Sequence, residues 1–174
     1  MDNKILILHE GRFLRLVSNN TWEYVERKRS SGVVAILAIT DERKVLFVEQ
    51  FRPSMGRVVV EIPAGLAGDI AGAENEALAE AARRELLEET GYEAREMEFL
   101  IDGPSSSGLS TEFVSFFRAR GLTRVAEGGG DPSENLTVHE VPLDSLDDWI
   151  AERRAAGRLV DCKVYSALYF ANRP

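Results

Sequence analysis

Glu85, Glu88 and Glu89 stand at i, i+3 and i+4 in a stretch rich in Ala, Leu, Glu and Arg. On a helix, their carboxylates project from one face within a turn of each other and repel. Gly91 follows as a plausible helix end, where the macrodipole is already negative and favours cations. Each effect costs about a few tenths of a kcal/mol. A glutamate-rich helix is ordinarily a solvated face, but this arrangement is a poor design for stability alone and makes sense around a divalent cation. The donors are hard oxygens with no His or Cys nearby in sequence, which suits Mg²⁺, or Mn²⁺, over Zn²⁺. Glu85 and Glu89 are then direct ligands, and Glu88 completes the cluster. Arg84 pairs with one of these glutamates and holds it in place, the plain alternative being a surface salt bridge to Glu80 at i−4.

The carboxylates need a rigid helix, and the sequence supplies one. From Asn75 to Thr90, Leu78, Ala82 and Leu86 recur at spacing four, with Asn75 as N-cap and Gly91 as C′ residue. Residues 4–8 and 12–17 read as a first hairpin across Glu10-Gly11, with a third strand over 22–28. Val33 to Ile39 is a nearly continuous β-branched apolar run; a turn at residues 41–44 returns the chain through Val45 to Val48, a pattern that predicts a buried hairpin. Val58 to Ile62 is a further strand ended by Pro63-Ala64-Gly65. Strands follow over 96–101, 113–119 and 136–142, then helices over 146–155 and 163–172. Mixed strands and a few helices predict an α+β fold, an α/β/α sandwich with a mixed sheet. Residues 1–30 form a small N-terminal antiparallel β subdomain, and residues 31–174 the main domain.

At 174 residues, 44% apolar and 29% charged, the chain can bury a substantial core. The net charge of −8, with no basic stripe, argues against nucleic acid as a partner. An acidic protein that handles a phosphorylated small molecule needs an Arg cluster or divalent cations to invert the local field. Apolar runs stay well short of the ~20 residues a bilayer crossing needs, and no signal-peptide pattern opens the chain, so the expectation is a cytoplasmic protein without a membrane partner. The single cysteine, Cys162, has no internal disulfide partner and reads as a buried structural thiol. His9 and His139 read as structural.

The segment Arg84-Glu85-Leu86-Leu87-Glu88-Glu89-Thr90-Gly91-Tyr92, with Glu76 upstream, resembles the catalytic box of the Nudix hydrolases. Ile70 occupies the place of the box's leading glycine, so Gly65 is its counterpart, and an insertion within Leu66 to Asn75 lengthens a loop at the pocket rim. The likeness extends through Thr21-Trp22-Glu23, Gln50-Phe51-Arg52-Pro53, Glu61-Ile62-Pro63-Ala64-Gly65, Gly108-Leu109-Ser110 and Val164-Tyr165-Ser166 to the ADP-ribose pyrophosphatase branch. That resemblance implies metal-dependent hydrolysis of the diphosphate of a nucleoside diphosphate sugar, ADP-ribose giving AMP and ribose 5-phosphate. It also implies a homodimer whose N-terminal strands contribute to the partner's site. Trp22 would stack on the base, Arg27 and Arg52 would contact base or diphosphate, Glu61 would hold a polar edge of the ligand, and the Ala64 carbonyl would join the metal ligands. Each role suits its chemistry, since aromatic faces bind bases and Arg forks bind phosphate. Packing is the alternative for Trp22, as surface charge is for Arg27 and Arg52.

Two features leave choices open. The branch commonly has a proline where Ser107 stands, and Pro104 is out of register, so GDP-mannose or UDP-glucose remains an alternative substrate; a non-catalytic nucleotide-sugar sensor is a third reading. The water must also lose a proton. Glu112, after a small polar loop, and Glu134, after the Gly128 to Pro132 loop, both match places where the family keeps a catalytic glutamate, with a box glutamate as third candidate.

Overall fold

Runs of β-branched and aromatic residues frame the molecule, whose computed structural model describes residues 5–130 and 135–173. Three strands, β1 (Ile5–Glu10), β2 (Leu14–Asn19) and β3 (Trp22–Arg27), form an antiparallel sheet of their own. The core strands are β4 (Gly32–Ala38), β5 (Lys44–Arg52), β6 (Arg57–Glu61) and β7 (Ala64–Ala67). Helix α1 (Leu78–Thr90) follows, then two long strands, β8 (Tyr92–Pro104) and β9 (Phe113–Arg124), and β10 (Thr137–Pro142). Helix α2 (Leu146–Ala155), the short β11 (Leu159–Val160) and α3 (Cys162–Leu168) complete the order. Two four-stranded mixed sheets result, ordered β7-β4-β9-β8 and β10-β5-β6-β11.

The expected hairpin between the two most apolar strands does not form. β4 and β5 meet at a single bridge, Ile39 to Val45, and then part into different sheets. β4 pairs with β7 and, in parallel, with β9, while β5 lies between β6 and β10. Residues 34–38 and 45–48 are wholly buried, so each strand needs partners along both edges and cover on both faces. One hairpin cannot supply both, and strands far along the chain do.

Strand alternation then divides the core. Leu46 packs with Ile36, Ala82 and Leu86 on the α1 side, whereas Phe47 packs with Leu37, Val60, Ile150 and Val164 on the side of α2 and α3. Helix α1 buries Ala81, Ala82 and Leu86 and lies against β4, β7 and β8. It begins three residues later than the sequence suggests: Asn75 lies in a preceding turn, and Ala77 holds the cap position without a side-chain bond. The C-terminus is as expected, with Gly91 at φ 76° and its N–H bonded to the Leu87 carbonyl. Cys162 is exposed at the start of α3, not buried, because the preceding Asp161 caps the helix by accepting from the Lys163 N–H and turns this first residue outward. Among the described residues no helix is long and apolar enough to cross a membrane.

Candidate active site

Arg84 sits at the centre of the acidic helix end. Its guanidinium donates to both oxygens of Glu76 at 3.1 and 3.2 Å, to Glu85 at 2.8 Å, to Glu88 at 3.4 Å and to the Leu66 carbonyl at 2.9 Å. Asp69 stands 3.8 Å away. A planar fork of five N–H groups is what such a divergent set of acceptors requires, and Lys could not reproduce it. The Glu76 hydrogen bond is the main reason the guanidinium pKa is pushed further up, and the same bond holds Glu76 below the usual carboxylate range. The i−4 surface bridge to Glu80 is not formed; Glu80 is approached by Arg83 instead.

The three box glutamates have different surroundings. Glu85 is mostly buried, and burial raises its pKa against the opposing pull of Arg84. Glu88 is half exposed. Glu89 is 3% exposed and accepts the Ala64 backbone N–H at 3.1 Å. Ala64 thus touches this cluster through its amide. Gly65, its neighbour on β7, is required by close approach: an added Cβ would fall 1.9 Å from the Glu85 carboxyl carbon. The counterpart assigned to the box glycine therefore lies against a box glutamate.

The helix end is also capped in a way the sequence reading missed. The Gly129 and Gly130 N–H groups donate to the Glu89 and Glu88 carbonyls at 2.8 and 3.0 Å, and Gly128 packs so tightly on Thr90 that a Cβ would meet its carbonyl carbon at 2.4 Å. The run of three glycines was the available signal. Glu134, four residues further on, lies outside the described residues.

The donor set has the chemistry of a hard-cation site. Arg84 is one cation against the carboxylates of Asp69, Glu76, Glu85 and Glu88, no basic residue lies in the last turn of α1, and the helix dipole adds to the anionic excess. Among the described residues no three side chains stand in a finished metal cage, and Arg84 bridges Glu85 and Glu88. The oxygen donors, the anionic excess and the space secured by Gly65 fit a divalent cation.

The other candidates fall into two pairs. Arg52 grips Glu61 with Nε at 2.9 Å and Nη2 at 2.5 Å, and Gln50 donates to the same carboxylate at 3.1 Å. Glu61 is 3% exposed, and its hydrogen bond is the main reason the Arg52 pKa is raised. Gln50 was not singled out from sequence, although its spacing of two from Arg52 puts both on one face of β5. The second pair joins the N-terminal sheet to the loop before β9: Arg27 donates to Glu112 at 2.9 Å. Val25 pairs there with residues 109–111, its N–H meeting the Leu109 carbonyl and its carbonyl the Thr111 N–H. The Trp22 indole N–H reaches the Gly108 carbonyl at 3.3 Å. Leu14, Val25, Arg27, Leu109, Ser110 and Glu112 enclose a hollow of about 230 Å³.

A two-sheet α+β sandwich with an arginine-centred glutamate cluster at the end of one helix defines the Nudix class. The NUDIX domain profile matches residues 29–159, and the chain belongs to that family. It is similar to a methanol dehydrogenase activator of Bacillus methanolicus, 39% identical over 72% of this chain and 66% of that protein. An ADP-ribose pyrophosphatase of Bacillus subtilis is 40% identical over 65% of this chain and 59% of its own length. A GDP-mannose pyrophosphatase of Yersinia enterocolitica is 30% identical over 94% and 86%. The chain thus spans about three fifths to two thirds of the first two relatives. A crystal structure of an ADP compounds hydrolase superposes with TM-score 0.68 at 20% identity, covering 85% of this chain and 80% of that one, which supports the fold.

Proposed function

We propose that this protein hydrolyses the diphosphate of a nucleoside diphosphate sugar, ADP-ribose first among them, with Mg²⁺ or Mn²⁺ held by Glu85, Glu88, Glu89 and the Ala64 carbonyl. The observation that carries the reading is the excess of carboxylates gathered round Arg84, from the segment before α1 and from α1 itself. Relatives named as ADP-ribose pyrophosphatases support the substrate class. A GDP-mannose pyrophosphatase aligned over nearly the whole chain keeps that sugar nucleotide as the second substrate to test. The bound cation would neutralise diphosphate oxygens and activate water.

The chain's own residues do the rest. Arg84 holds Glu76 and Glu85 in place and so orients the ligand set. Glu61 holds Arg52 on the α1 side of β5 through Nε and Nη2, and Nη1 meets a phosphate or base edge. Trp22, 61% exposed, offers an indole face to the base. Glu112 takes the water's proton, and Arg27 holds that carboxylate until substrate arrives; Glu134 is the alternative base. The N-terminal sheet, with Ile5, Ile7 and Phe13 all exposed, is the face on which a second copy docks to form a homodimer.

The deciding experiment offers ADP-ribose, GDP-mannose and UDP-glucose with Mg²⁺ and identifies the products. AMP and ribose 5-phosphate from ADP-ribose are expected; no phosphate-bond cleavage in any of the three would overturn the reading and leave a hydrolase of another diphosphate, such as coenzyme A or a dinucleoside polyphosphate, or a nucleotide-sugar sensor. Sedimentation checks the dimer, which a monomer with full turnover would refute. In Glu112→Gln, kcat should fall with KM nearly unchanged, and the loss should shrink as pH rises and hydroxide replaces activated water. Full turnover in Glu112→Gln beside a dead Glu134→Gln would pass the base role to Glu134.

A further inference from the structure

Strand β5 carries a second polar cluster on the face opposite Gln50 and Arg52. Glu49 pairs across the sheet with Val60 and Thr137, so these side chains point with Phe47 toward α2. Glu49 is 8% exposed. Around its carboxylate stand His139 Nε2 at 3.7 Å, Arg153 Nη1 at 3.7 Å and Arg158 Nε at 3.8 Å, all beyond hydrogen-bond reach. Glu49 Oε1, His139 Nε2, Arg153 Nε and Arg158 Nε are all buried without a hydrogen-bond partner. Four such atoms in one place are unusual, because an unpaired buried polar group costs about 1–3 kcal/mol. The charges do not cancel either: two guanidinium groups face one carboxylate.

Of the cluster, Glu49 and Arg158 line a cavity of about 600 Å³, whose walls also include Phe51, Asn135 and Thr137 and, from the other face of β5, Gln50 and Arg52. This volume falls within the ordinary range for small-molecule sites. Phe51, 58% exposed, gives the cavity an aromatic wall, and Asn135 and Thr137 add hydrogen-bonding side chains. Arg153 lies over the Trp149 ring at 5.5 Å, and Trp149 also meets His139 edge to face, so an indole reports directly on the cluster.

We propose that the cavity at this end of β5 is a binding site for a phosphate group, free or as the monoester of a nucleotide, held by Arg158 in its wall, with the charge of Arg153 on the far side of Glu49 and Phe51 against any organic part. A phosphate matches the excess positive charge of the two guanidinium groups over Glu49. Glu49 spaces the two arginines and weakens the site by its own charge.

The proposal is independent of any activity, and its test is binding in EDTA. In Trp22→Phe protein the remaining indole is Trp149, and inorganic phosphate and AMP are titrated separately against its fluorescence. A saturable change is expected, weakened about tenfold or more in Arg158→Ala and strengthened in Glu49→Gln. Tighter binding of AMP than of phosphate, lost in Phe51→Ala, assigns the nucleotide; equal affinities assign free phosphate. Circular dichroism checks the fold of each variant, and Arg158→Lys, which keeps charge but not the fork, decides if Arg158→Ala unfolds. No saturable response, a response indifferent to Arg158, or weaker binding in Glu49→Gln would each overturn the proposal and leave a structural ion cluster.

Discussion

Adjacent residues of β5 serve two sites of opposite charge. On the α1 face, Gln50 and Arg52 saturate Glu61, and beyond them Arg84 is surrounded by carboxylates whose excess is negative. On the other face, Glu49 is outnumbered by Arg153, Arg158 and His139, and donors are left over. A strand with a period of two turns these side chains to opposite faces, and at its end Gln50 and Arg52 also line the cavity that Glu49 and Arg158 border. The difference shows what each lacks. On the proposed readings, the front would take a cation against its carboxylate excess, and the back an anion against its guanidinium excess.

The largest effect should come from removing front-face charge. Glu88→Gln and Glu89→Gln are each expected to lower kcat by about two orders of magnitude or more while leaving the circular dichroism spectrum unchanged, and excess EDTA should abolish turnover. Full turnover in EDTA would break the contrast between the faces at once. Gly65→Ala should come next, with activity down by about tenfold or more and a modest change in Tm, since the new methyl displaces the Glu85 carboxylate and little else. Activity near wild type there would mean that Glu85 can move without consequence.

Glu61→Ala sharpens the comparison through stability. It leaves Gln50 and Arg52 without their shared acceptor beside a buried space, and denaturant unfolding should report a loss of about 2–4 kcal/mol. The smallest effect is a control from a fully satisfied pair. Tyr92 donates its hydroxyl to Glu140 at 2.7 Å; burial first, then this bond, pushes the phenol pKa up to about 12, and the same bond chiefly lowers that of Glu140. Because the carboxylate pKa is depressed, its contribution is present above the usual carboxylate range and is lost as pH falls through it. Because the phenol pKa is raised, its contribution is full below the ordinary phenol range and is lost as pH rises toward about 12. Tyr92→Phe should therefore cost about 1 kcal/mol at neutral pH and less at both extremes, as unfolding at several pH values would show.

The acidic helix end was legible because local spacing fixes it: 100° per residue puts Glu85, Glu88 and Glu89 on one face, and Gly91 ends the helix whatever surrounds it. The same locality made the N-terminal hairpins readable, since short turns join neighbouring strands. Tertiary structure alone decided that β4 and β5 enter different sheets, because runs buried on both faces carry no alternation to tell one partner from another. It also decided which acceptors Arg84 reaches, five bonds drawn partly from Glu76 and Leu66 well upstream, and that Gln50 joins Arg52 on Glu61. The back-face cluster, from β5, β10, α2 and the turn before β11, was invisible for the same reason. Sequence periodicity orders side chains along one element; convergence of several elements on one carboxylate is set by how they pack.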